Sequence, residues 1–196
     1  MKRLLLFPIL FLSLISFSQE NWETTFKGGI NCSFVGSSFS SSGSKIFLGA
    51  TAGLEQTYYF DNSLFSVQSG LEYENLGLGI SSFGVTVGNS NPGDGTLSRS
   101  NANYLSVPLH LRCQVSEHWG VLAGAAYRFG LNHQQMSYNT YKDDICLDAG
   151  IFYKMKNMRF NLIYQHGLRE ENTGSQTIQA KNRTITFTVS TAFWNK

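Results

Sequence analysis

The sequence predicts an all-β fold, an antiparallel up-and-down transmembrane barrel of about eight strands. Three observations carry that reading. Apolar and polar residues alternate with period two in one segment after another. The connections between these segments alternate between short and long. Charged residues make up 14% of the 196, well under the roughly 25% of an ordinary soluble domain. Mean hydropathy is nevertheless only −0.14, so the apolar residues are dispersed rather than gathered into runs. Nineteen glycines, fifteen phenylalanines and nine tyrosines against three prolines favour strands over helices. The length fits one domain, and a formal net charge of +2 is too small to argue for nucleic acid.

The one uniform apolar run opens the chain. Met1-Lys2-Arg3 is basic, Leu4 to Ile15 is apolar, and Ser16-Phe17-Ser18 offers small residues at a cleavage site before Gln19. The run is too short to cross a bilayer as a helix. Residues 1–18 are therefore expected to be a signal peptide, and 19–196 the barrel domain. The first cysteine is Cys32, which argues against a lipid-anchored start.

Strands are expected near 24–35, 46–60, 64–75, 103–115, 120–132, 143–155, 158–169 and 183–194. Asp61-Asn62-Ser63, Ser116 to Trp119 and Lys156-Asn157 are then short connections, and 36–45, 76–102, 132–142 and 170–182 long ones. Short turns on one rim and long loops on the other are the pattern of a bacterial outer-membrane barrel. The faces are consistent. In the fourth strand Leu105, Val107, Leu109, Leu111, Cys113 and Val115 oppose Ser106, His110, Arg112 and Gln114. In the sixth, Ile145, Leu147, Ala149, Ile151 and Tyr153 oppose Asp144, Asp148 and Lys154. A slip of one residue would exchange these faces.

Alternation alone does not say which face is inside, because a soluble lipocalin-like carrier would turn its apolar face inward. Three features favour the membrane arrangement. The polar face is rich in Gly, Ser, Thr and charges of both signs. The apolar face carries almost no charge, although Gln56 and His166 fall on it by parity. Aromatics (Tyr58, Tyr59, Phe60, Tyr104, Trp119, Tyr127, Tyr153, Phe193 and Trp194) gather near strand ends as an interfacial girdle would. Pro108 removes a ladder donor in a sheet without edges, so a bulge or local twist is expected there. Cys32, Cys113 and Cys146 are odd in number and not spaced as a metal or redox pair. The first two are expected outside and the third inside, with no disulfide.

Tyr104-Leu105-Ser106-Val107-Pro108-Leu109 resembles the YL-x-[IV]-P-L strand of the PorT-like outer-membrane β-barrel proteins of Gram-negative bacteria. Phe65 to Tyr73 (FSVQSGLEY) resembles the strand that precedes it in that family, and Thr184 to Phe193 ends on an aromatic, as strands recognised by the barrel-assembly machinery do. The resemblance implies the fold and the outer membrane as location. It implies a link to secretion or surface functions, and no shared catalytic residues.

The inward charges expected from parity are Lys27, Glu55, Glu72, Glu74, Arg112, Arg128, Asp144, Asp148, Lys154, Arg159 and Arg169, five acids and six bases. An eight-stranded barrel is just wide enough for side chains to fill. Such a set is expected to form a cross-linked structural plug rather than line a narrow solute channel. A lipid-modifying enzyme would need a nucleophile, base and acid on one rim. His110, His118, His133 and His166 are scattered, and no catalytic, metal or cofactor-binding residue is expected. Asn89 to Gly95 has the composition of a tight turn and lacks the spacing of a calcium loop. The expected partners are outer-membrane lipid and, through the long loops, a protein, cell surface or ligand. No nucleic acid is expected, and the barrel is expected to be a monomer.

Overall fold

The computed structural model describes residues 21–37, 45–76, 103–131, 143–171 and 180–194. The expected signal peptide, the Asn89–Gly95 turn, His133 and most of the four long connections lie outside the described residues. Eight strands follow in order: β1 (Trp22–Ser37), β2 (Lys45–Tyr59), β3 (Phe65–Asn75), β4 (Asn103–Gln114), β5 (Trp119–Gly130), β6 (Asp144–Met155), β7 (Met158–Glu171) and β8 (Ala180–Trp194). Each pairs antiparallel with the next, and β8 pairs with β1, so the sheet closes.

The pairing sets the dimensions of the barrel. From Trp22 the partners run through Tyr58, Val67, Leu111, Ala123, Ala149, Tyr164 and Ile185 back to β1 at Cys32. One circuit thus advances ten residues along β1. With about 3.3 Å per residue and about 4.8 Å between strands, that offset tilts the strands by about 40° to the axis.

The faces fall out as parity dictates. Ile30 is 58% exposed and its neighbour Asn31 1%. Phe26, Leu48, Leu109, Leu111, Leu147, Ile151, Leu162, Ile185 and Phe187 share the exposed side. The apolar face is therefore outside, and the lipocalin-like alternative is excluded. Such a wall is stable only against hydrocarbon. Cys32 and Cys113 lie half-buried on it, Cys146 is buried within, and all three are free thiols. Gln56 and His166 are half-buried on the outer wall, where Tyr164 Oη lies 3.5 Å from His166 Nδ1.

Two expectations are corrected. Of the bulge or local twist expected at Pro108, the bulge does not form. The β3–β4 pairing stops at Ser69–Leu109 and resumes at Glu72–Ser106 in the same register, while Pro108 still pairs with Ala126 on β5. The missing donor opens the ladder on one side only, and Ser69 Oγ donates to the Pro108 carbonyl at 2.8 Å. The register shifts lie instead at Thr24/Thr25 on the β1–β8 seam and between His166 and Glu170 on β7. Of the expected aromatic girdle, Tyr104 is buried and the Tyr59 hydroxyl is engaged by Arg159 and Glu23. Both belong to the interior by parity, and nearness to a strand end did not override it. Trp22–Tyr58–Phe60 and Trp119–Tyr153 remain as packed aromatic groups at the short-turn rim, and Tyr127–Phe129 at the other. The side chains of Phe193 and Trp194 lie outside the described residues.

Candidate functional site

The lumen gathers nearly all the chemistry of the described chain. Glu55, Glu72, Glu74, Arg112, Arg128, Asp144, Asp148 and Arg159 are buried, as is Lys27. Burying a charge is costly unless it is paired and hydrogen-bonded, and most of these are. Lys27 Nζ lies 3.0 Å from Glu55 Oε1 and 2.6 Å from Glu72 Oε1, tying β1 to β2 and β3. Ser190 Oγ of β8 donates to Glu55 Oε2 at 3.2 Å. Arg128 Nη2 is 2.7 Å from Glu74 Oε2 and donates to Gln165 Oε1 at 2.8 Å, joining β3, β5 and β7. Its Nη1 donates to Cys146 Sγ. His110 Nε2 and Asp148 Oδ2, 2.8 Å apart, span β4 to β6.

A second group stands toward the short-turn rim. Arg159 Nη2 donates to Glu23 Oε1 at 3.1 Å and to the Tyr59 hydroxyl at 2.8 Å. Arg112 Nη1 donates to Gln68 Oε1 at 2.8 Å, and its guanidinium lies 4.0 Å over the Phe152 ring. Gly120 makes room for that ring, since a Cβ there would fall 2.1 Å from Phe152 Cζ. Phe152 packs with Leu122 and Ile163 in a buried apolar cluster, so the lumen is not polar throughout.

Two expected members stand apart. Lys154 is half-buried at the mouth, with Nζ 5.5 Å from the Tyr59 ring centroid and no ion pair among the described residues. Arg169 is exposed and donates to the Asp143 carbonyl at 2.6 Å. Asp144 Oδ1 accepts the Arg169 backbone N–H at 3.1 Å. Glu23 was not expected, because the first strand was begun two residues too late. Carrying the alternation of Thr25 and Lys27 one step back would have found it. Among the described residues no group of three or more His, Cys, Asp or Glu could hold a metal ion.

A closed antiparallel sheet with an apolar outer wall, a polar lumen and short turns on one rim defines a transmembrane barrel of the bacterial outer membrane. The family described as outer membrane protein beta-barrel domain matches residues 17–188. The chain belongs to that family, and its place is the cell outer membrane. Among solved structures, Ail, the attachment invasion locus protein of Yersinia pestis, in complex with the heparin analogue sucrose octasulfate, is similar in fold. The identity is 14% and the TM-score 0.50, over 88% of this chain and 99% of that one. Neisserial surface protein A is 9% identical with a TM-score of 0.45, over 87% and 97%. No curated protein sequence matches the chain.

Proposed function

We propose that the chain is a PorT-like member of this family, exported by a signal peptide at 1–18, whose lumen is a structural plug and whose loops do the work. In this reading the short turns face the periplasm, the loops at 36–45, 76–102, 132–142 and 170–182 face outward, and the barrel is a monomer in outer-membrane lipid. The observation that carries it is the bracing of the lumen from wall to wall, with Arg128 of β5 held at once to β3, β6 and β7. Charges consumed by one another offer little to a passing solute. Function then passes to the loops, where binding residues concentrate on rigid scaffolds. Ail was solved with a heparin analogue, and a surface glycan or protein is the class of partner proposed for these loops.

No enzymatic role is proposed. The His110–Asp148 pair lies deep in the wall, and no hydroxyl nucleophile is bonded to His110 among the described residues. The deciding experiment is conductance in planar bilayers. Purified barrel should insert silently, whereas resolvable unitary steps that change sign preference in Glu72→Gln or Arg112→Gln variants would establish a narrow channel instead.

A further inference from the structure

Arg112 is out of place among the lumen cations. Lys27, Arg128 and Arg159 each meet a carboxylate within 3.1 Å. Arg112 is 1% exposed and has no carboxylate in ion-pair reach among the described residues. Its one hydrogen bond goes to the neutral Gln68, and its Nη2 is buried without an acceptor. Arg159 has spare capacity too, with Nε and Nη1 buried and unpartnered. Both arginines line one cavity of about 30 Å³ at the short-turn mouth, together with Lys154, Tyr59, Ser66 and Gln114. The cavity is bounded toward solvent by the exposed Ser63 and Leu64.

The electrostatics are one-sided. Arg112, Arg159 and Lys154 bring three positive charges to this cavity from β4, β7 and β6, and among the described residues Glu23 is the only carboxylate bonded to any of them. Glu55 is bonded to Lys27 and also attracts both arginines, so it offsets part of this charge and leaves positive charge in excess. Waters of the size the cavity admits would meet the free N–H donors and leave the charge uncompensated. A guanidinium fork matches an oxyanion in both charge and geometry. We infer that the short-turn mouth of the lumen is a binding site for a small oxyanion, a phosphate group above all. Arg112 Nη2 and Arg159 Nη1 would grip it from within and Lys154 from the mouth. The remainder of a larger ligand would trail out past Ser63 and Leu64. The site goes beyond the plug reading and is independent of what the loops bind.

The test uses the barrel folded in micelles of an uncharged maltoside, at constant ionic strength in chloride. Inorganic phosphate is titrated by calorimetry, and the unfolding temperature is followed as phosphatidylglycerol is doped into the micelles. Saturable binding of free phosphate is expected, weakened about tenfold by Lys154→Gln and abolished by Arg112→Gln. Lys154 is half-buried with no ion pair, so its variant keeps the fold and carries the test if Arg112→Gln does not. A rise in unfolding temperature with phosphatidylglycerol alone, lost in Lys154→Gln, would assign the same site to a lipid headgroup. No response to either probe above chloride, or a Lys154→Gln barrel that responds as the parent does, would overturn the inference.

Discussion

Arg128 touches Glu74, Gln165 and Cys146, and the consequence of removing it depends on what is left behind. Arg128→Met would strand Glu74 in the lumen. The barrel should lose about 3 kcal/mol, measured by urea unfolding in micelles, because an uncompensated buried charge costs far more than its pairing had gained. Adding Glu74→Gln to the same chain should recover most of that loss, since the charge then leaves with its partner. An equal loss in single and double variants would mean that packing around Arg128, and not charge, sets the cost. At this scale the sequence was legible in part. Parity picked out Glu55, Glu72, Glu74, Arg112, Arg128, Asp148 and Arg159 as inward, but pairing is decided by neighbours on other strands. That Lys27 would take two carboxylates while Arg112 took none depends on register, which no single segment contains.

Strands were the easiest level to read. The largest error in a strand end was three residues, at the start of β8, because alternation fades where a strand runs on past the membrane into a loop. The turns carry a more local cost. Met155 pairs with Met158 across Lys156-Asn157, and Lys156 sits at φ 52°, a region in which a lysine Cβ is crowded. Asn62 takes the same conformation in the β2–β3 turn at less expense, since Asn tolerates it. Lys156→Gly should therefore stabilise the barrel by about 1 kcal/mol, read as a higher urea midpoint with unchanged slope. Lys156→Val should shift it the other way. Pro108 shows where local reasoning stops. A missing donor was plain, yet whether the sheet would bulge or simply open on one side depended on β3, where Ser69 supplies a substitute bond.

For the whole molecule, alternation named a barrel without choosing its faces, and the nearly chargeless apolar face, the Gly-, Ser- and Thr-rich polar face and the aromatics near strand ends pointed the apolar side outward; the structure puts Asn31 within and Ile30 without. The cysteines report this arrangement directly. In lipid vesicles the Cys32 and Cys113 thiols face hydrocarbon, where a thiol stays protonated and meets no water-borne reagent. A water-soluble maleimide should label none of the three until the barrel is denatured. Labelling of Cys32 by the soluble reagent in the folded state would contradict an apolar wall in lipid. The seam between β1 and β8 has a further consequence, for time rather than shape. There Ser33 and Thr184 meet at 3.3 Å although 151 positions separate them. Every unclosed intermediate carries two bare edges, and a bilayer offers no solvent to cover them. Folding of this chain is therefore bound to wait for its last strand. Until β8 arrives nothing covers the free edge of β1, and a chain cut short before it cannot close this sheet.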